Sequence, residues 1–138
     1  MIKVKVGQGS CGISAGAAKV YNALEQLLVN NSDVQLSVTG CIGMCYLEPI
    51  VDIYSDGELI RLVRVKDTDA KAVADFISTG DRTIIETLIV SEEDKHFLDS
   101  QTRIALRGCG VINPDEIDDY IANGGYSALK KALTSMTP

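Results

Sequence analysis

Charge and aliphatic residues alternate along Lys3-Val4-Lys5-Val6, the two-residue period of a strand with one buried face. The glycine-rich run Gly7-Gln8-Gly9-Ser10-Cys11-Gly12 then ends the strand in a loop. Ala17, Val20, Tyr21, Leu24, Leu27 and Leu28 recur at three- and four-residue intervals up to Asn30-Asn31. That spacing predicts an amphipathic helix, with Ser14 as its N-cap. Residues 34–38 alternate again as a half-buried strand and run into the loop Thr39-Gly40-Cys41-Ile42-Gly43-Met44-Cys45-Tyr46-Leu47-Glu48-Pro49. Residues 50–54 and 59–65 are β-rich runs on either side of Ser55-Asp56-Gly57-Glu58, and Asp-Gly between such runs predicts a tight hairpin. A second helix begins at Asp67 or Thr68, buries Ala70, Val73, Ala74, Phe76 and Ile77, and stops at Gly80, where a C′ glycine belongs.

This order, β-α-β followed by β-β-α, predicts an α/β fold of the thioredoxin-like kind, complete within residues 1–80. Beyond Gly80 the texture changes. Residues 83–90 read as extended, 91–100 as a charged loop, and Ile104-Ala105-Leu106 as a brief apolar run ending at Gly108. Asn113-Pro114-Asp115-Glu116 has the form of a helix start, and Ile117, Tyr120 and Ile121 give that helix its apolar side until Gly124-Gly125. A last helix runs from Tyr126 through Leu129 to Leu133. These helices have few visible partners, and Thr137-Pro138 repeats the N-cap and first-turn pattern with nothing after it. Residues 81–138 therefore read as a partly helical tail: a linker and the leading edge of a larger domain, able to dock on another chain or a second copy.

The 138 residues supply one domain's worth of chain, and 13 Lys+Arg against 19 Asp+Glu give a net charge of −6 with no basic block. Nucleic acid is excluded as a partner on that balance. No stretch has the length and apolarity of a bilayer span, and the amino terminus lacks the basic head and apolar run of an export signal. The expected location is the cytoplasm. Four cysteines, Cys11, Cys41, Cys45 and Cys109, then face a reducing compartment, where metal binding, redox chemistry or burial replaces structural disulfides.

Cys41-x-x-x-Cys45 follows a strand in a loop containing Gly40 and Gly43, where two thiolates can converge and backbone amides can point at sulfur. Cys11 occupies the other strand-to-helix loop. If the two strands are parallel neighbours, both loops leave the same end of the sheet and three sulfurs meet there. A [2Fe–2S] cluster takes four ligands, so Cys109 or the oxygen of Ser10 is the candidate fourth. Incidental cysteines without metal remain the alternative, because C-x-x-x-C is not specific. Gly7-x-Gly9-x-x-Gly12 also matches a dinucleotide-binding fingerprint, but the next strand ends Val38-Thr39-Gly40 without the acid that would hold a ribose. There is no C-x-x-C, His96 reads as a surface residue, and no catalytic Ser/His/Asp set or carboxylate pair is discernible.

Over nearly its whole length the chain resembles the NADH-binding flavoprotein subunit of complex I and of related bifurcating and NAD(P)-linked hydrogenases and formate dehydrogenases. The form it resembles carries an amino-terminal thioredoxin-like ferredoxin domain. Thr39-Gly40-Cys41-x-Gly43-x-Cys45-x-x-x-Pro49 is similar to that domain's second cysteine pair. Ile117-Asp118-Asp119-Tyr120-Ile121-Ala122-x-Gly124-Gly125-Tyr126-x-Ala128-Leu129-x-Lys131-Ala132-Leu133 is similar to the leading segment of the flavin domain. The resemblance implies electron transfer through a [2Fe–2S] cluster with Cys41 and Cys45 as ligands. Gly7 and Gly12 stand where the family's first pair would align, so Cys11, beside Gly12, is carried over as a shifted substitute. It also implies neighbouring oxidoreductase subunits as partners. FMN, NAD(H) and a [4Fe–4S] cluster belong to a part of the family's subunit whose motifs these residues lack. The competing reading is a degenerate, cluster-free docking module.

Overall fold

The computed structural model describes residues 1–137; the Thr137-Pro138 expectation falls partly on Pro138 and so lies outside the described residues. Strand β1 (Ile2–Gly7) is central, with β2 (Val34–Thr39) parallel on one side and β3 (Val51–Ser55) antiparallel on the other. Strand β4 (Glu58–Leu62) pairs antiparallel with β3, giving the order β2-β1-β3-β4. The parallel register sets Val4 beside Leu36 and Gly7 beside Thr39, so the loops after β1 and β2 leave the same end of the sheet. No helix among the described residues is long and apolar enough to cross a membrane.

The connection after β1 is two helices, α1 (Ser10–Ala15) and α2 (Ala17–Leu28), with Gly16 between them. Ser14 is therefore not the expected N-cap but an interior residue of α1. The chain is already helical at Ser10, where Ile13 N–H donates to Gly9 O at 2.9 Å, and Gly16 at φ +104° breaks the run in a conformation that suits glycine. Helix α2 buries Ala17, Val20, Leu24 and Leu28, while Leu27 is half exposed. Helix α3 (Ala70–Thr79) buries Ala70, Val73, Phe76 and Ile77 and ends at Gly80. These faces meet Val4, Val6, Val51, Ile53, Ile60 and Leu62 of the sheet in one core. Each such aliphatic side chain contributes roughly 1.5–3 kcal/mol by burial. Neither Asp67 nor Thr68 caps the second helical stretch. A 3₁₀ turn (Asp67–Asp69) precedes α3, and Asp69 Oδ2 reaches back to accept Lys66 N–H at 2.8 Å.

The segment after Gly80 differs from expectation in three places. Arg82–Leu88 is a 3₁₀ helix instead of an extended run. Asp81 caps it by accepting Thr83 N–H at 3.0 Å, and its three-residue period turns Ile85 into the core while Ile84 stays outside. Glu92–Asp99 is helix α4, not a loop. Ser91 Oγ accepts Asp94 N–H at 3.1 Å, and three acids in the first turn complement the positive end of the helix. Helix α5 is Ile117–Ala122, a turn later than Asn113-Pro114 suggests. Asn113 Oδ1 accepts Asp115 N–H at 3.2 Å, and Asp119 Oδ2 accepts Asn113 N–H at 2.9 Å, so those residues form a turn that docks on the helix. Helix α6 is Ser127–Ser135.

Candidate metal centre

The sequence-predicted cysteines meet because β1 and β2 are parallel neighbours. Cys11 is the second residue of α1, and Cys41 and Cys45 bracket the loop after β2, with a 3₁₀ turn (Cys45–Leu47) closing it. Gly9 and Cys41 lie so close that a Cβ on Gly9 would come within 2.6 Å of Cys41 Cβ. A Cβ on Gly12 would meet Gly7 O at 2.4 Å and Glu48 Oε2 at 3.1 Å. The glycines that imitate a dinucleotide fingerprint therefore have another cause: they let the α1 loop press against the cysteine loop.

Cys41 Sγ and Cys45 Sγ stand 3.9 Å apart, and Gly43 N–H points at Cys41 Sγ from 3.3 Å. Two thiolates on one tetrahedral metal, at bonds of about 2.3 Å, stand about 3.8 Å apart, so this pair has the span of one shared metal ion. Burial pushes the Cys41 thiol up, against the opposing pull of the Gly43 amide. The Cys45 thiol is also pushed up, first by the neighbouring Cys11 thiol, with Cys41 opposing. Raised thiol pKa values mean that a metal must displace protons to bind here. Cys11 and Cys45 are exposed, whereas Cys41 is partly covered.

The cover comes from the tail. Thr39 Oγ1 and Gly40 N–H donate to Ile112 O at 3.0 and 3.2 Å, Lys5 Nζ donates to Val111 O at 2.5 Å, and Arg103 Nη2 donates to Ile42 O. Cys109 lies on this strap and lines, with Cys41 and Arg107, a largely apolar cavity of about 730 Å³. Helix α4 holds the other flank: Tyr46 OH donates to Asp94 Oδ1 at 2.5 Å, which keeps the Asp94 carboxyl below its usual range, and Leu98 packs against the cluster of Ile42, Met44, Leu47, Ile50 and Val63. Among the described residues no group of three or more Cys, His, Asp or Glu side chains is arranged to hold a single metal ion. A [2Fe–2S] cluster instead divides four ligands between two irons. The residues present fit one iron's pair, with Cys11 beside Cys45 for the other; Ser10 is exposed at the start of α1, and His96 is exposed on α4.

Sequence reasoning missed Glu48. Its carboxylate is buried in the notch between Gly7 and Gly12, where Oε2 accepts Ile50 N–H at 2.9 Å. The signal was available, since Glu48 is the lone charged residue from Thr39 to Val51.

The arrangement of strands and helices has solved counterparts. The thioredoxin-like [2Fe–2S] ferredoxin from Aquifex aeolicus matches 67% of this chain and 98% of its own, at a TM-score of 0.56 and 20% identity. The chain has a thioredoxin-like fold. A cysteine-to-serine variant of that ferredoxin matches at a TM-score of 0.57 and 19% identity, and a second such variant at 0.55 and 19%; each covers 67% of this chain and 100% of its own. In sequence, 38 residues are 63% identical to the NADP-reducing hydrogenase subunit HndC of Solidesulfovibrio fructosivorans. That match takes in 28% of this chain and 8% of the relative, so the chain corresponds to under a tenth of that subunit's length. No protein-family model matches.

Proposed function

We propose that the chain is an electron-transfer piece of an NAD(P)-linked hydrogenase or NADH-dehydrogenase type of flavoprotein subunit. The observation that carries this reading is the Cys41/Cys45 pair, 3.9 Å between sulfurs with the Gly43 amide directed at Cys41. Cys41 and Cys45 would hold one iron of a [2Fe–2S] cluster and Cys11 the other, with Cys109, Ser10 or a partner subunit completing the set. Such a cluster supplies one-electron transfer. The chain's own contribution is to set the loops at the spacing the irons need, to aim an amide at sulfur, and to leave Cys11 and Cys45 on an accessible face. The likeness to [2Fe–2S] ferredoxins and the short match to a hydrogenase subunit support it.

On the same reading residues 1–80 are the ferredoxin unit and 81–138 link it to the flavin-bearing remainder of a cytoplasmic subunit. FMN, NAD(H) and a [4Fe–4S] cluster would reside in that remainder. Other subunits of the complex are the partners, and the exposed apolar side chains of α5 and α6 are where another subunit or a second copy would seat.

Anaerobic reconstitution of the full chain with iron and sulfide tests the assignment. About two irons per chain, with visible absorption that Cys41→Ala abolishes, is the expected result. Sub-stoichiometric iron, with thermal stability and spectrum unchanged by Cys41→Ala, would establish the second reading, a cluster-free docking module. That reading is favoured by one observation: among the described residues no group of three or more Cys, His, Asp or Glu side chains is arranged to hold a metal ion.

A further inference from the structure

The loop between Cys41 and Cys45 turns at Gly43, whose φ of +96° is left-handed backbone that glycine adopts without a Cβ penalty. The side chains on either side of it, Ile42 and Met44, are buried in a cluster with Leu47, Ile50 and Val63. One glycine and apolar packing thus hold the loop folded through the chain's own contacts. The result is a pair of free thiols kept together, with Cys41 Sγ and Cys45 Sγ 3.9 Å apart and the Gly43 N–H fixing Cys41 Sγ from 3.3 Å.

The two thiols are not equivalent. Cys45 is exposed, while Cys41 is partly covered, beside the strap that Thr39 and Gly40 tie down through Ile112 O. A reagent arriving from solution therefore meets Cys45 first. A disulfide bond spans about 2.05 Å between sulfurs, so side-chain rotation and a small loop movement close the remaining gap. The pairing of β2 with β1 ends at Thr39, and that movement breaks no rung of the sheet. Disulfides that form inside cells are mostly transient and redox-sensing, and an accessible thiol with a second one poised to resolve it is the arrangement they use.

We propose that Cys41 and Cys45, as free thiols, are a reversible disulfide site whose oxidant is a small-molecule disulfide. Cys45 Sγ attacks one sulfur of the oxidant, breaking its S–S bond, forming a mixed disulfide and releasing one small thiol. Cys41 Sγ then attacks Cys45 Sγ; the Cys41–Cys45 bond forms, the mixed bond breaks and the second small thiol leaves. Two electrons pass from the two cysteine sulfurs to the oxidant, and the two thiol protons depart with the two small thiols. The site does not depend on the electron-transfer reading, since a cluster-free docking module carries the same two sulfurs. Its consequence for that reading is regulatory: a chain oxidised in this way presents neither Cys41 nor Cys45 as a ligand until a thiol reopens the bond.

The test uses the full chain, free of metal and fully reduced, equilibrated with glutathione buffers of rising disulfide fraction, blocked with an alkylating reagent and mapped by mass spectrometry. Because both thiol pKa values are raised, the attack is slowed, and the equilibrium product is the readout. The expected product is a Cys41–Cys45 link, lighter by two hydrogens, with Cys11 and Cys109 alkylated, and excess reduced glutathione should restore four alkylated cysteines. Cys41→Ser should stop the reaction half-way and accumulate a Cys45–glutathione adduct. A wild type that keeps glutathione on Cys45 without an internal link, joins Cys11 to Cys45 instead, or carries glutathione on Cys11 while Cys41 and Cys45 stay reduced would overturn the proposal, whatever the variant does. Failure to take up iron and sulfide removes the electron-transfer reading and leaves this site standing; failure to form the link removes the site and leaves the reconstitution result untouched.

Discussion

The sheet unit and the tail are built from similar proportions of apolar residues and use them in opposite ways. In the sheet unit, Val4, Leu24, Val51, Leu62 and Val73 are each fully enclosed. From Gln101 to Thr137, Gly110 is the one buried residue among those described, and Ile104, Leu106, Ile117, Ile121, Leu129 and Leu133 are between 50% and 81% exposed. Within the tail, Tyr120 and Tyr126 form an edge-to-face pair, 5.1 Å between rings. Short helices with open apolar faces draw little stability from propensity alone. The difference teaches where the free energy of this chain lies: residues up to about 100 close into one body, with Ile85 and Leu98 packed against the sheet unit, while the residues beyond touch it through the strap over Cys41 and otherwise present exposed apolar side chains.

The largest expected effect comes from the pair that staples β3 to β4. Asp52→Ala leaves Arg61 charged and 9% exposed without its bidentate partner, and should destabilise the fold by about 3–5 kcal/mol in denaturant unfolding. The exposed Lys71–Asp75 pair on α3 should lose under about 0.5 kcal/mol when Asp75 is replaced by Ala. Next is the apolar core. Leu24→Ala should cost about 2–5 kcal/mol, and Leu129→Ala in α6 should stay within about 0.5 kcal/mol in the monomer. An equal loss at Leu129 would break the comparison by showing that the tail has a core of its own.

The join between the two regions can be probed at Gly9. A Cβ there must push on Cys41, so Gly9→Ala should destabilise by about 1–3 kcal/mol and lower iron uptake, whereas Gly108→Ala, whose Cβ would meet Ile112 at an ordinary 3.5 Å, should do neither. This is also where sequence and structure part company most instructively. The strands, the α2 and α3 faces, the Asp56-Gly57 turn and the convergence of the cysteine loops were legible, because period-two and period-four patterns report burial directly. The break at Gly16, the 3₁₀ run over Arg82–Leu88 and helix α4 were not. In each of these, a local feature decides a short segment in which the apolar pattern is weak: the left-handed backbone of Gly16, or the cap supplied by Asp81 or Ser91. The glycine motif was visible but misleading, since its meaning depends on Glu48 and Cys41, more than thirty residues away.

The smallest effect sharpens the comparison within the sheet unit itself, by titrating its one unpaired buried carboxyl. Burial holds the Glu48 carboxyl above its unfolded value, so the native state keeps a proton that the unfolded chain has already released. Stability from this group is therefore complete below the unfolded carboxyl's pKa and is lost as pH rises through the folded one. Glu48→Gln removes the dependence. The Gln variant should gain on the wild type as pH rises across that window, by at most about 1.4 kcal/mol per pH unit, and the two unfolding curves should draw together again in acid. Asp81 and Asp94, both held below their usual range by hydroxyl or amide donors, act with the opposite sign, favouring the fold as pH rises; they are common to both proteins and cancel in the difference. A pH-independent gap between the two proteins would mean that Glu48 stays ionised in its notch, compensated by something other than a proton.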